Sequence, residues 1–334
     1  MKLGGLGEFG LVSRIASASK QGFGVATGIG DDAAVTVLTP GMQLLTSTDM
    51  LLEDVHFRLA WHDPFRLGRK SLAVNLSDIA AMGGIPRWAL LCLAIPADIP
   101  IDFLDEFTRG FLTMADEHGV SLVGGDTCAS VGGLVITVTI MGEQLPDIIL
   151  SRSAAMPGDD IWVTGTLGDA ALGLKLLEGD KIPSSQGVGS DYLVSRLLDP
   201  TPRVSVGLAL SGTCLATAMI DISDGFLADF GHIAEQSGVG GLIRLADIPL
   251  SVQFNSLASQ LTDDPQVLAL SGGEDYELCF TAPPVNREKI AYRTKKCGVT
   301  ATPVGIVTNL PGVNVINEDG SPFNTTTDGF KHFT

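Results

Sequence analysis

Six short segments of the chain place an acidic residue beside glycine, serine or threonine: GIGDD (28–32), STD (47–49), NLSD (75–78), LVGGDT (122–127), IDISDG (220–225) and SGGEDYE (271–277). Their shared chemistry is a set of hard oxygen donors without histidine or cysteine companions, which suits Mg²⁺ or Ca²⁺ and not zinc. The twelve-residue EF-hand loop is absent, which disfavours a calcium sensor. Magnesium is commonly held by a few carboxylates together with substrate phosphates, so single aspartates scattered along a chain are what such a site requires. Charge leads to the same place. Two unit charges about 4 Å apart repel by roughly 4 kcal/mol at an effective dielectric near 20, so several aspartates facing a polyphosphate need cations between them. Plainer readings stand beside this one. Gly and Asp are ordinary turn formers, and Asp224 is a candidate N-cap for the helix that follows.

The elements that would position these groups can be read from periodicity. In KSLAVNLSDIAAMGG (70–84), Ser71, Asn75, Asp78 and Met82 fall on one helical stripe. The stripe is either a solvated face or a buried polar site. Solvated faces normally carry Lys, Glu and Arg, whereas one Asp among Asn and Ser suits a buried site with a partner. LVGGDT and MIDISDG both read as an apolar strand that ends directly in Asp, with glycine letting a phosphate or metal approach the backbone. Strand-like runs at 33–38, 43–49, 88–95 and 133–142 alternate with helical stretches near 64–83 and 101–118. The periodicity breaks around 143–158 at two prolines and several turn residues, and a new series of strands and helices follows. The expectation is an α/β (α+β) chain of two domains, 1–145 and 146–334, each with its own core.

Composition excludes several classes of partner. A formal charge of −17 argues against nucleic acid or an anionic membrane, since both need a basic footprint. The five cysteines are odd in number and form no CxxC, so neither a disulfide framework nor a zinc site is expected, and the reducing cytoplasm is the expected compartment. No targeting or membrane-spanning segment is visible; WALLCLAIP (88–96) is too short to cross a bilayer. A dinucleotide fingerprint is suggested by Gly28, Gly30 and Ala33 with Asp49 downstream. It fails because AAVTVLTP favours a strand where that motif needs a helix, and because Asp31 and Asp32 would face a pyrophosphate. The P-loop, protein-kinase, HExxH and GxSxG signatures are all absent.

GEF (7–9), GIGDDAAV (28–35), STDMLLEDVHF (47–57), KSLAVNLSDIAAMGG (70–84), LVGGDT (122–127), SRSAAMPGD (151–159), DISDG (221–225) and SGGEDYELCF (271–280) together resemble the thiamine-monophosphate kinase family, within the superfamily of aminoimidazole ribonucleotide synthetase. The resemblance runs in order to DGFKHF at the C-terminus. It implies a homodimer that pairs its N-terminal sheets, with ATP and several Mg²⁺ ions bound between the N- and C-terminal domains. Carried over residue by residue, Asp32, Ser47, Thr48, Asp49, Asp78, Asp126, Asp221 and Asp224 fall at the metal positions. Gly125, Asp126, Arg152 and Ser223 fall at nucleotide contacts, and His56, Glu274 and Phe330 at the thiamine phosphate site. Asp54 stands where the family commonly has Gly, and Phe330 where Trp or Tyr is more usual; Phe can stack but cannot donate a hydrogen bond.

The implied reaction moves the γ-phosphoryl group of ATP to the phosphate of thiamine monophosphate, giving thiamine diphosphate and ADP. The acceptor oxygen is already anionic, so positioning and charge neutralisation suffice without a strong general base. The alternative is another ATP-using member of the superfamily: aminoimidazole ribonucleotide synthetase, selenophosphate synthetase or a hydrogenase-maturation protein. Selenophosphate synthetase would carry a reactive Cys or selenocysteine in its N-terminal Gly-rich region, whereas the first cysteine here is Cys92.

Overall fold

A computed structural model describes residues 3–179 and 188–325 and resolves two compact units. One comprises Gly84–Asp147 and the chain before Ala80; the other comprises Ala80–Gly83 and the chain from Ile148 onward.

The N-terminal unit runs α1 (Leu3–Ala18), β1 (Val25–Thr27), β2 (Val35–Thr36), β3 (Gln43–Leu52), α2 (Pro64–Ala81), β4 (Ile85–Pro96), α3 (Ile101–His118), β5 (Ser121–Ser130) and β6 (Val135–Gln144). Its main sheet has the order β3-β6-β4-β5, in which β4 and β5 are parallel and the other pairs antiparallel. Along β3 the two-residue period of a strand puts Leu45, Ser47, Asp49 and Leu51 on the more buried face and Leu44, Thr46, Thr48 and Met50 on the other. In α3, Leu104, Phe107, Phe111 and Met114 recur at helical spacing and are all buried, which fixes the face this helix packs. Two expectations change here. The strand read over 33–38 forms only at Val35–Thr36, with the Val37 N–H still donating to the Gly24 carbonyl at 2.8 Å and the Thr39 N–H turning to the Glu143 carboxylate at 2.8 Å. The strand read as ending at Asp126 continues to Ser130, since the register with β4 shifts once at Val123 and then runs unbroken from Gly124 and Gly125 to Ser130.

The turn after β3 carries Asp54 with φ 66°, a left-handed conformation that costs an ordinary L-residue and suits glycine. Here the departure from the family's usual Gly is an unfavourable backbone choice. Asp54→Gly is expected to gain roughly 0.5 kcal/mol, read as a higher urea midpoint with unchanged slope.

His62, just before α2, is 4% exposed, and neither ring nitrogen has a hydrogen-bond partner among the described residues. Burial, with help from the Lys70 charge, pushes its pKa down to about 3. The native imidazole is thus neutral while the unfolded chain takes up a proton below its ordinary pKa of about 6.5. Its contribution is fully present above that pH and is lost as pH falls towards 3. Between pH 7.5 and pH 5 the wild type should lose roughly 2 kcal/mol through this group, and His62→Phe should flatten that part of the profile in urea melts.

The C-terminal unit runs β7 (Asp160–Thr164), α4 (Asp169–Glu178), α5 (Val188–Leu198), α6 (Val204–Ser211), β8 (Ala218–Ile222), α7 (Phe226–Ser237), β9 (Gly240–Arg244), α8 (Val252–Leu261), α9 (Pro265–Ser271), β10 (Glu277–Ala282), α10 (Arg287–Lys296), β11 (Ala301–Thr308) and β12 (Gly312–Ile316). Its sheet has the order β12-β9-β11-β7-β10-β8, antiparallel except for the β12–β9 pair. Ile161, Val163, Ile220, Ile222, Phe226, Phe230 and Phe254 lie in one buried cluster of strand and helix side chains. Both units are therefore mixed α/β, as the alternation of periods predicts.

Candidate active site

In the N-terminal unit the acidic segments on β3 and α2 meet. The Ser47 hydroxyl donates to Asp78 Oδ2 at 2.5 Å, and the Asp49 N–H donates to Asn75 Oδ1 at 3.1 Å. Asn75 in turn donates from Nδ2 to the Ser71 carbonyl at 3.1 Å, and the Ser71 hydroxyl to the Gly68 carbonyl at 2.8 Å. Ser71 and Asn75 are buried, so the stripe on α2 is a docking face for β3 and not a solvated one. Burial pushes the Asp49 carboxyl up to about pKa 7, and the nearby charge of Asp78 adds to the rise. Two carboxylates held in partial desolvation, one of them bonded by a hydroxyl, form a donor set whose all-oxygen chemistry fits Mg²⁺. Among the described residues no cluster of three or more metal-binding side chains is assembled. Two protein carboxylates completed by phosphate oxygens are, however, a usual complement for this ion.

The other predicted residues of this unit lie apart from that pair. Thr48 faces the opposite side of β3, where its hydroxyl bonds the Val138 carbonyl at 3.0 Å and Thr139 Oγ1 at 3.1 Å. Asp32 is exposed in the turn after Gly30, and Asp31 accepts the Asp32 N–H at 2.9 Å. Asp31 therefore braces the turn. His56 Nδ1 accepts the Leu52 N–H at 3.0 Å, which fixes the neutral ring as its Nε2–H form. Gly125 is required by contact, since a Cβ there would meet the Leu91 carbonyl oxygen at 1.8 Å.

Asp126 is exposed on β5, its Oδ1 accepting the Thr127 N–H at 2.9 Å. Strand β5 is the sheet edge opposite β3, three strand spacings or about 14 Å away. Its ladder partners Cys92, Thr137 and Met50 form the row that faces away from Asp49. Within one chain Asp126 does not join the Asp49–Asp78 pair.

In the C-terminal unit Asp221 is buried near the end of β8, and the Ser223–Asp224–Gly225 turn follows it. All three turn N–H groups donate to one oxygen of Asp229, at 3.0, 3.2 and 3.1 Å. Burial and the Asp224 charge push Asp229 up to about pKa 7, and the three amides oppose the rise. The residue at the start of α7 is Gly225, with no side-chain cap, so Asp224 is not the N-cap the sequence suggested. Sequence reasoning missed Asp229; it sits inside an ordinary amphipathic helix, and only the folded turn reveals its three donors. The SGGEDYE segment lies against this turn. Glu274 N–H donates to the Ser223 carbonyl at 2.7 Å, Tyr276 N–H to the Ile222 carbonyl at 2.8 Å, and a Cβ on Gly225 would meet the Ser271 carbonyl oxygen at 2.6 Å. Arg152 is exposed, its carbonyl accepting from the Ser237 hydroxyl at 3.0 Å. Phe330 lies outside the described residues.

The two units match, in order, the AIR synthase related protein N-terminal domain over residues 30–144 and the AIR synthase related protein C-terminal domain over residues 156–317. The chain belongs to this family. Within it, the chain is 40% identical over 331 residues to the thiamine-monophosphate kinase of Salmonella typhimurium, covering 98% of each sequence. It is also similar to the crystal structure of thiamine-monophosphate kinase from Stenotrophomonas maltophilia, with 39% identity, a TM-score of 0.81 and coverage of 94% of this chain and 95% of that one. A structure of AaThiL complexed with AMPPCP and TMP is 34% identical, with a TM-score of 0.77 and coverage of 100% of this chain and 99% of that one. Hydrogenase-maturation proteins share the fold at lower identity, 22% in one case with a TM-score of 0.75.

Proposed function

We infer that this chain is a thiamine-monophosphate kinase, transferring the γ-phosphoryl group of ATP to thiamine monophosphate with release of ADP. The observation that carries the reading is the Ser47–Asp49–Asp78 set, preformed between β3 and α2 in a chain that is similar over its whole length to proteins of that name. The relative complexed with AMPPCP, an ATP analogue, and TMP supports ATP and thiamine monophosphate as the substrate pair.

Mg²⁺, when bound, would neutralise charge between these carboxylates and the polyphosphate. Ser47, Asp49 and Asp78 would hold it in the N-terminal unit, with Asp32 as a further oxygen donor; Thr48 and Asp126, on the opposite face of the sheet, would serve the site of a second copy, and Asp221 and Asp224 would hold metal in the C-terminal unit. Gly125 and Ser223 bring backbone close to the nucleotide, and Arg152 offers a fork of donors to phosphate oxygens. His56 contacts the thiamine phosphate. Glu274 meets the cationic part of thiamine, and Phe330 stacks on its ring. None of these groups need remove a proton, because the attacking phosphate oxygen already carries charge.

The position of Asp126 calls for a second copy of the chain. An edge strand facing away from Asp49 serves that site only if a partner supplies it, and a dimer that pairs the N-terminal sheets does so. The same pairing covers Leu44 and Met50, which are half exposed on the outward face of β3. No helix among the described residues is long and apolar enough to cross a membrane. Its strong negative charge and free cysteines support a cytoplasmic protein without nucleic-acid or membrane partners.

The test is to incubate the purified protein with ATP, Mg²⁺ and thiamine monophosphate and to follow thiamine diphosphate. Its formation is the expected result; turnover of a different acceptor with no diphosphate would move the chain to another branch of the family.

A further inference from the structure

Two of the four non-glycine residues with positive φ among the described residues flank a single position. Glu274 has φ 68° and Tyr276 has φ 49°, and Asp275 lies between them, fully buried. Left-handed conformations at non-glycine residues persist only where the surroundings over-determine them, and they gather at functional sites. The surroundings here are specific. Asp275 Oδ2 accepts the Gly168 N–H at 2.7 Å and Oδ1 accepts the Ala170 N–H at 3.4 Å, both at the start of α4. Arg196 donates from Nη2 to the Asp275 carbonyl at 3.1 Å, while Glu274 and Tyr276 give their own N–H groups to the β8 side. The segment is thus held from two directions, with its anchor inside and Glu274 only half buried. A buried carboxyl beside two unfavourable backbone conformations works against stability, so its return must lie elsewhere. What it provides is a fixed direction for Glu274.

We propose that Asp275 is a positioning residue for the thiamine phosphate subsite, tying the Glu274 segment to the start of α4 so that the Glu274 carboxylate is presented to the substrate. The inference rests on the role of Glu274 given under the proposed function. It separates Asp275 from Glu277, two residues on, whose carboxylate serves buried arginines and not this segment.

The experiment measures initial rates of the full-length protein with thiamine monophosphate and ATP varied separately. The variants are Asp275→Asn, which keeps one acceptor oxygen and the volume, Glu274→Gln, and the double substitution. Asp275→Asn should raise KM for thiamine monophosphate roughly 10- to 100-fold, the scale of a misplaced contact, with KM for ATP within about twofold of wild type. In the Glu274→Gln background the same change should add nothing to KM, because the two residues act as a unit. An equal rise in both backgrounds, a parallel rise for ATP, or a lower melting temperature with unchanged KM would each overturn the proposal. If Asp275→Asn does not fold, Arg196→Lys, which removes the Nη2 bond to the Asp275 carbonyl, reads the same split between the two KM values. Failure of the wild type to make thiamine diphosphate removes the functional reading and this inference together. Normal turnover with an unaltered KM in Asp275→Asn removes this inference alone.

Discussion

Asp49→Asn should leave a folded protein whose phosphoryl transfer is slower by a factor of at least about 100, the scale on which a group stabilising transferred charge is usually lost. Asn preserves the shape of Asp49 and its main-chain bond to Asn75, so β3 stays docked on α2. What disappears is one of two charges that the fold holds together at a cost, since burial and Asp78 raise the Asp49 pKa to about 7. In the absence of metal the variant should therefore melt at a higher temperature than wild type while turning over more slowly. Loss of function with a gain in stability is the signature of a charge kept for chemistry. Asp126→Asn should be slow as well, and mixing the two variants tests the dimer. If a site takes Asp49 from one copy and Asp126 from the other, each mixed dimer has one intact site, and statistical exchange returns about a quarter of the wild-type rate. If both residues serve one chain's site, mixing restores nothing. Near-normal rates in both single variants would end the metal assignment.

The α2 stripe was legible because Ser71, Asn75 and Asp78 follow helical spacing and no solvated face is built from such residues. The Ser47–Asp78 contact was not, since 31 residues separate the two and only the docking of β3 on α2 joins them. Asp126 shows a different limit. LVGGDT carries both a strand signal and a glycine pair, and whether glycine ends a strand or is carried through it depends on whether a neighbour continues to pair; β4 pairs with both glycines and on to Ser130. The residues that hold the C-terminal loops in place were the least visible. Asp229 and Asp275 act on backbone amides, which leave no mark on side-chain patterns, and the arginines that serve Glu277 are 74 and 81 residues away from it. Local periods disclose which face an element buries; they do not disclose what a buried charge meets there.

That buried charge carries the largest expected effect on stability. Glu277 begins β10, between β7 and β8 in the sheet, and is completely inaccessible. Its carboxylate accepts the Thr164 hydroxyl at 2.6 Å, Arg196 Nη2 at 2.9 Å and Arg203 Nε at 2.6 Å, with a further short bond from Arg203 Nη2. Both arginine side chains are themselves mostly buried. Two guanidinium groups on one carboxylate leave the cluster with excess positive charge, which the charges of Asp275 and Asp169 near Arg196 help to balance. Removing the central carboxylate strands both cations in a region of low dielectric, where breaking a buried pair from one side costs roughly 3–5 kcal/mol. Glu277→Ala should therefore lower the urea midpoint by that equivalent and can prevent folding at growth temperature. Arg203→Met, which removes one cation and leaves the Glu277–Arg196 pair, should cost much less. An equal cost for the two would mean that β10 is held by its apolar neighbours Leu278 and Phe280 and that the ion cluster adds little. The expected inequality follows from the geometry: Glu277 alone accepts hydrogen bonds from both guanidinium groups, so losing it leaves two cations without that partner, whereas losing Arg203 leaves none.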